Sequence, residues 1–457
     1  MVIDMNLKGK KVLIVGLGKT GTSVLDLLLP MGVICAVQDS KSEDKIAPDL
    51  LAKLKENSIE SFLGRLPDPS EKFDMLIVSP GVPTELDFIQ KAQQNGTEII
   101  GEVELAFRMS RGNFVAITGT NGKTTTTTLV GEIFENDKKD TFVVGNIGTT
   151  VTSIAHETKD ESWIITETSS FQLETIRGFK PRISAFLNIS PDHLDRYGNM
   201  QRYIASKARI FEYQDENDYF VVNYDDKQVY EIVPNCKAKV VPFSRLSELT
   251  FGVFVKDDQI TIADGNGDLI KVCRTDELVM LGTHNLENAL ASTAIAHFAG
   301  VSTESIAKTL KTFSGVEHRV EFCGEINGVK FVNDSKGTNV DSSMRAIEAI
   351  NGSIILIAGG YDKKVEFDEL FDVFSDKVKH VILIGTTANQ LKETAERKGF
   401  FNNIILENME QCVQKAFELA KPGDTILLSP ACSSQDMYLN FEERGAHFKN
   451  CVKNLEK

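Results

Sequence analysis

Along the whole chain, short apolar runs that stop at small or polar residues alternate with longer stretches of helical spacing. An unbroken apolar run suits a strand buried on both faces, and the helical stretch returns the chain to begin the next strand in the same direction. The runs fall into three blocks. "KVLIVGLG", "VICAVQD" and "MLIVSPG" form the first; "NFVAITG", "TFVVGN", "WIITE", "ISAFLN" and "YFVVN" the second; "GVKFVNDSK", "SIILIAGG", "HVILIG" and "TILLSP" the third. The fold class is therefore α/β, built as three domains over residues 1–105, 106–314 and 315–457. Between the second and third blocks, "HNLENALASTAIAHFAG" reads as an amphipathic helix.

At 457 residues the chain is long enough to give each domain its own core. Its net charge of −15 opposes nucleic acid and anionic membrane, so any phosphate site must be built locally from backbone NH groups, a few cations and a divalent metal. The seven scattered cysteines, with no CxxC pair, suit a reducing compartment rather than a disulfide or zinc framework. No leader pattern opens the sequence and no apolar stretch is long enough to span a bilayer, so a cytoplasmic protein without a membrane span is expected.

"ITGTNGKTTTTT" places a glycine turn between the strand "FVAIT" and a helical pattern. Free NH groups and the helix dipole at such a junction hold phosphate. Gly119, Gly122, Lys123 and Thr124 give the ending of a P-loop, although Ile117 stands where the full spacing asks for glycine. In that reading Lys123 reaches the β- and γ-phosphates and Thr124 ligates Mg²⁺. The competing reading is an ordinary glycine turn, against which the five threonines weigh mildly, since β-branched residues are poor helix formers.

Glu167 ends the strand "WIIT", where a P-loop protein keeps its metal-binding carboxylate, although acids often end strands. "SPDHLDRYGNMQRYIASKARIF" brings Asp192, His193, Asp195 and Lys207 after another strand, in a position suited to metal and phosphate chemistry. Near the N-terminus, Gly16, Gly18 and Gly21 satisfy GxGxxG and Asp39 ends the following strand. Alone this reads as a dinucleotide turn, but the same loop holds other pyrophosphates.

"TGTNGKTTT", "GNIG", "TETSSFQLE", "DHLDRYG", "HNLENALA", "GVEHRVE", "NDSKGTN" and "LLSPACSSQDMYLNFEERG", in this order, resemble the Mur ligase family of peptidoglycan synthesis across nearly the whole chain. The resemblance implies an N-terminal Rossmann-like UDP-binding domain, a central P-loop ATPase-like domain and a C-terminal Rossmann-like domain that takes the amino acid. Within the family it is nearest to the branch that joins D-glutamate to UDP-N-acetylmuramoyl-L-alanine. ATP converts the substrate carboxylate to an acyl phosphate, which the amine then attacks. That chemistry serves cell-wall biogenesis, and with it cell shape and division.

The resemblance also implies roles. Gly119, Thr120, Asn121, Gly122, Lys123, Thr124 and Thr125 surround ATP, with Asn285, Asn288, Arg319, Asp334 and Lys336. Two Mg²⁺ sites involve Thr124, Glu167, His193 and Lys207, the last matching a lysine that the family carbamoylates with CO₂. Lys123, His193 and Lys207 are the catalytic candidates. Lys19, Thr20, Asp39, Ser40, Gly81, Asn146 and His193 match the UDP-substrate side, which displaces the dinucleotide reading. Thr338, Lys363, Ser434 and Phe441 match the D-glutamate side, with Lys364 adjacent in an ambiguous register. A monomer is expected. The rivals are a sister ligase for another amino acid, a folylpolyglutamate synthetase, which would lack the first domain, and a nucleotide-driven P-loop switch, which would not need the third domain's loops.

Overall fold

The computed structural model describes residues 7–68, 71–265, 267–280 and 282–455, with the side chain of Asp195 outside the described part. Two compact units emerge. One runs up to Thr275 and takes in Asn288–Leu310; the other comprises Asp276–Glu287 and the chain from Lys311 onward.

The first unit holds two sheets among the described residues. In one, five parallel strands lie in the spatial order Glu60–Leu63, Ile34–Asp39, Lys11–Val15, Met75–Val78, Glu98–Gly101. The chain departs from Lys11–Val15 to one side and later returns to the other. This makes a switch point, where ligands of open α/β sheets settle outside the carboxyl ends of the strands. Val12, Leu13, Ile14 and Val15 are buried on both faces, as the unbroken apolar run requires.

The other sheet has nine strands: Leu269–Arg274, Gln259–Ala263, Gly252–Lys256, Lys239–Ser244, Tyr219–Asn223, Ile183–Phe186, Asn113–Thr118, Trp163–Glu167 and Thr141–Gly145, in that spatial order. The last seven are parallel, with the phosphate-loop strand in the interior. The parallel pattern expected throughout is not kept at the far edge. Gly252–Lys256, Gln259–Ala263 and Leu269–Arg274 pair antiparallel. Asp257 and Asp258, at φ 48° and 57°, supply the tight left-handed turn that joins the first two.

The six-stranded sheet of the second unit runs Glu321–Ile326, Val329–Asn333, Thr425–Leu428, Ile354–Ala358, Val378–Leu383, Asn403–Ile405. Its first pair is antiparallel, turned by Asn327 and Gly328, both at positive φ. The remaining neighbours are parallel.

The helix Thr283–Phe298 differs from the amphipathic expectation: every residue over 289–296 is buried. Alanines crowd it because it is packed on all sides, and small side chains allow that approach. Among the described residues no helix is long and apolar enough to cross a membrane.

Candidate active site

The strand Asn113–Thr118 delivers the chain into Gly119–Gly122, and the helix Lys123–Asn136 begins at once. Gly122 is the helix N-cap at φ +81°, and a Cβ there would lie 2.3 Å from Asn288 Oδ1. Only glycine fits both demands. Asn288 in turn accepts a hydrogen bond from the Thr126 hydroxyl at 3.2 Å, which pins the start of the helix.

The loop is fastened from the neighbouring strand end. Asn188 accepts from the Asn121 NH at 2.9 Å and donates back to its carbonyl at 3.1 Å, while the Thr120 NH donates to the Asn188 carbonyl. The Thr120 hydroxyl accepts from the Ser190 NH at 3.1 Å. Lys123 Nζ donates to the Gly119 and Thr120 carbonyls at 2.9 and 2.8 Å. The cation therefore lies folded over the loop that opens the helix, at the helix end whose dipole favours an anion.

Glu167 ends the adjacent strand and is buried, with 2% of its surface exposed. Its two oxygens accept from the Thr124 hydroxyl at 2.7 Å and the Asn146 amide at 3.0 Å, both uncharged donors. A buried carboxylate held in this way is suited to a hard divalent cation, because neutral donors orient it without cancelling its charge. Asn146 comes from the loop after the edge strand Thr141–Gly145.

Lys207 lies on the helix Met200–Ala208 and is also buried. Its Nζ donates to the Gly119 carbonyl at 2.8 Å and stands 4.8 Å from the centre of the Tyr203 ring. Burial pushes its ammonium well below the usual lysine range. The Lys123 cation adds to that shift, and the Asp192 and Glu167 carboxylates oppose it. His193 caps the short helix Leu194–Tyr197 in a left-handed conformation at φ 52°, with Nε2 3.6 Å from Asp192. Phosphate loop, Glu167, Asn146, His193 and Lys207 are thus gathered around the carboxyl ends of one parallel set.

The first sheet brings its own group to its carboxyl edge. Gly16 stands at φ +89°, and a Cβ on Gly21 would lie 1.9 Å from the Gly16 carbonyl, so the turn closes only over glycine. Lys19 and Thr20 open the helix Lys19–Leu28, Asp39 ends the second strand and Ser40 follows it, and Gly81 follows Met75–Val78. The Asp39 carboxylate accepts from the Leu17 NH at 2.7 Å and the Lys41 NH at 2.8 Å, so it holds the turn in shape. Lys19 Nζ donates to the Gly148 carbonyl, and Thr150 and Thr152 bond Ser23, tying this turn to the loop that carries Asn146.

Asn285, Arg319, Asp334, Lys336, Thr338, Lys363, Ser434 and Phe441 belong to the second unit, whereas Asn288 belongs to the first. Asp334 is fully buried and its pKa is pushed up to about 6 by desolvation, which Arg319, 3.8 Å away, and the Ser429 hydroxyl, donating at 2.7 Å, resist. Lys336 Nζ sits 5.0 Å from the centre of the Phe441 ring. Lys363 is half-buried and donates to the Thr338 carbonyl at 3.4 Å, while Lys364 is exposed at φ 56°. Ser434 is buried, and its carbonyl accepts from the Tyr438 NH at 2.8 Å.

Sequence reasoning missed Arg444. Buried, it donates to the Ser335 hydroxyl and carbonyl and to the Cys432 and Ser433 carbonyls, over 2.7–3.2 Å, stapling together the loops that carry Lys336 and Ser434. Desolvation lowers its pKa to about 10. Asn188 was missed likewise. The signal for both was present only as a polar residue inside a quoted motif.

Comparison with known proteins accounts for this arrangement. Residues 10–101 match the Mur ligase MurD-like N-terminal domain, 117–296 the Mur ligase middle domain, and 318–432 the Mur ligase glutamate ligase domain. The chain belongs to the Mur ligase family. It is 48% identical over 456 residues to the UDP-N-acetylmuramoylalanine–D-glutamate ligase of Alkaliphilus oremlandii, covering 99% of this chain and 100% of that one. It is 48% identical over 454 residues to the protein of the same name from Clostridioides difficile, again at 99% and 100% coverage. Among solved structures, the UDP-N-acetylmuramate-alanine ligase of Thermotoga maritima shares the fold at TM-score 0.60 and 18% identity, covering 98% of this chain and 100% of that one. The MurF ligase of Thermotoga maritima in complex with ADP does so at TM-score 0.57 and 18% identity, over 85% and 98%.

Proposed function

We propose that this ligase joins D-glutamate to UDP-N-acetylmuramoyl-L-alanine at the expense of ATP, through an acyl phosphate. The observation that carries the reading is the buried Glu167 carboxylate, oriented by Thr124 and Asn146 beside the phosphate loop and Lys207. The names of the full-length relatives supply the amino acid and the acceptor.

In this reading the loop and helix start from Gly119 to Thr125, with the Lys123 cation, hold the β- and γ-phosphates. Asn288 in the first unit, and Asn285, Arg319, Asp334 and Lys336 in the second, are the further candidates for nucleotide contact. Thr124 and Glu167 hold one Mg²⁺, and His193 and a modified Lys207 a second. The two ions would screen the γ-phosphate from the attacking substrate carboxylate, which otherwise repel each other. Asn146 orients that carboxylate. Burial lowers the pKa of Lys207 and so favours loss of one ammonium proton; the amine lone pair then adds to the carbon of CO₂ as a second proton leaves. The resulting carbamate converts a buried cation into an oxygen donor.

Lys19, Thr20, Asp39, Ser40 and Gly81 border the uridine and pyrophosphate. Thr338, Lys363, Ser434 and Phe441 receive D-glutamate, with Lys363 on the distal carboxylate. The enzyme acts as a monomer in the cytoplasm. The test is phosphate release and product mass with UDP-N-acetylmuramoyl-L-alanine and a panel of amino acids. D-Glutamate is expected to couple in strong preference to L-glutamate, L-alanine, L-lysine and diaminopimelate. Efficient coupling of one of those others instead would move the chain to another branch.

A further inference from the structure

The geometry points to a zinc-class metal site in the second unit, formed by Glu410, His447 and Cys451. One donor atom from each lies within 4.8 Å of the other two. His447 and Cys451 are four residues apart on the helix Phe441–Asn454 and so share a face. Glu410 comes from the first turn of the packed helix Met409–Leu419.

The three donor types are those zinc takes: a thiolate, an imidazole nitrogen and a carboxylate. Ligands about 2.0–2.3 Å from a tetrahedral ion stand about 3.3–3.8 Å apart, so the site forms if the widest donor pair closes by up to about 1 Å and the His447–Glu410 pair opens by about 0.5 Å. His447 Nε2 already faces Glu410 Oε1 at 2.8 Å, leaving Nδ1 to meet the Tyr438 hydroxyl at 3.0 Å. A metal ion taking the place of the proton shared by Nε2 and Glu410 would leave Nδ1 to donate to the Tyr438 hydroxyl, the orienting partner that a ligating histidine uses. Three protein donors leave a fourth position for water.

The same helix carries Phe441 and Arg444, and the Tyr438 NH bonds the Ser434 carbonyl. An ion here would fasten the helix that staples the amino-acid loops. Mg²⁺ does not take thiolate, so the site does not compete for the ion of the phosphate chemistry.

Titration of the full, reduced chain with Co²⁺ in excess Mg²⁺ tests the proposal. The wild type is expected to bind one equivalent with a thiolate-to-cobalt charge-transfer band, and Zn²⁺ to displace it. Cys451→Ser should abolish the band. Glu410→Gln, a change at an exposed carboxylate, and Tyr438→Phe should each weaken binding roughly tenfold. Absence of the band in the wild type, or an unchanged band in Cys451→Ser, would overturn the site and leave an ion pair over a buried thiol.

Discussion

Two glycine turns in the first unit begin alike and end in different chemistry. At each, a buried parallel strand runs into a turn that only glycine can make, and a lysine opens the helix that follows. Around the first turn the nearby carboxylate, Asp39, is occupied by the Leu17 and Lys41 NH groups. Around the second, Glu167 meets a hydroxyl and an amide, and a second lysine, Lys207, is buried against the loop. The turn supplies a shape for phosphate. On the proposed reading, the carboxylate and the buried amine around it decide whether that phosphate is merely held or transferred.

The largest effect should follow from making the second turn resemble the first. Glu167→Gln keeps the shape and removes the charge. Ligation is expected to fall roughly 10³-fold, with UDP-substrate affinity unchanged by calorimetry. A fall below tenfold would mean that the carboxylate only braces the loop.

Lys207→Ala should cost about 10²-fold or more, and acetate or formate should restore part of the rate by filling the vacated anionic position. Full activity in the alanine variant would reject the carbamate.

In the second unit, Lys363→Ala should raise the KM for D-glutamate about 10- to 100-fold, the weight of one charge-assisted bond. Lys364→Ala should change it by about twofold or less, since that side chain is exposed. Equal losses would show that the register between them is wrong.

The smallest effect concerns pH. His284 is held near a pKa of about 3 by burial and by the Arg319 and Arg345 cations. The unfolded histidine takes up a proton near pH 6.5 that the folded one refuses, so this group's contribution to stability falls as pH drops from about 6.5 toward 3. At pH 5 the loss is about 1–2 kcal/mol. Urea unfolding of wild type and His284→Asn across that range should show a shallower acid slope in the variant.

The interior strands were legible because burial on both faces leaves an unbroken apolar word, as in "FVAIT" or "SIILIA". Glu60–Leu63, an edge strand, has polar residues where one face meets water, and its "ESFL" carried no such signal. The antiparallel hairpins were hidden for another reason. Their turns, Asp257–Asp258 and Asn327–Gly328, are signals of two residues each inside a parallel pattern repeated along the whole chain. Of the candidate site, the residues on strand ends could be read because motif and strand end coincide. Asn188 and Arg444 could not, since their partners lie 67 and 109 residues away in sequence. Nor could the burial of Lys207, which in sequence is one more helix lysine.

The division of labour between the two turns is tested most directly by paired substitutions at their lysines, with ligation rate and UDP-substrate affinity measured on each variant. Lys123→Ala should abolish almost all ligation and leave UDP-substrate binding largely intact. Lys19→Ala should weaken that binding while the rate at saturating substrate is largely kept. Loss of both properties together in the Lys123 variant, with the fold intact by circular dichroism, would contradict the account.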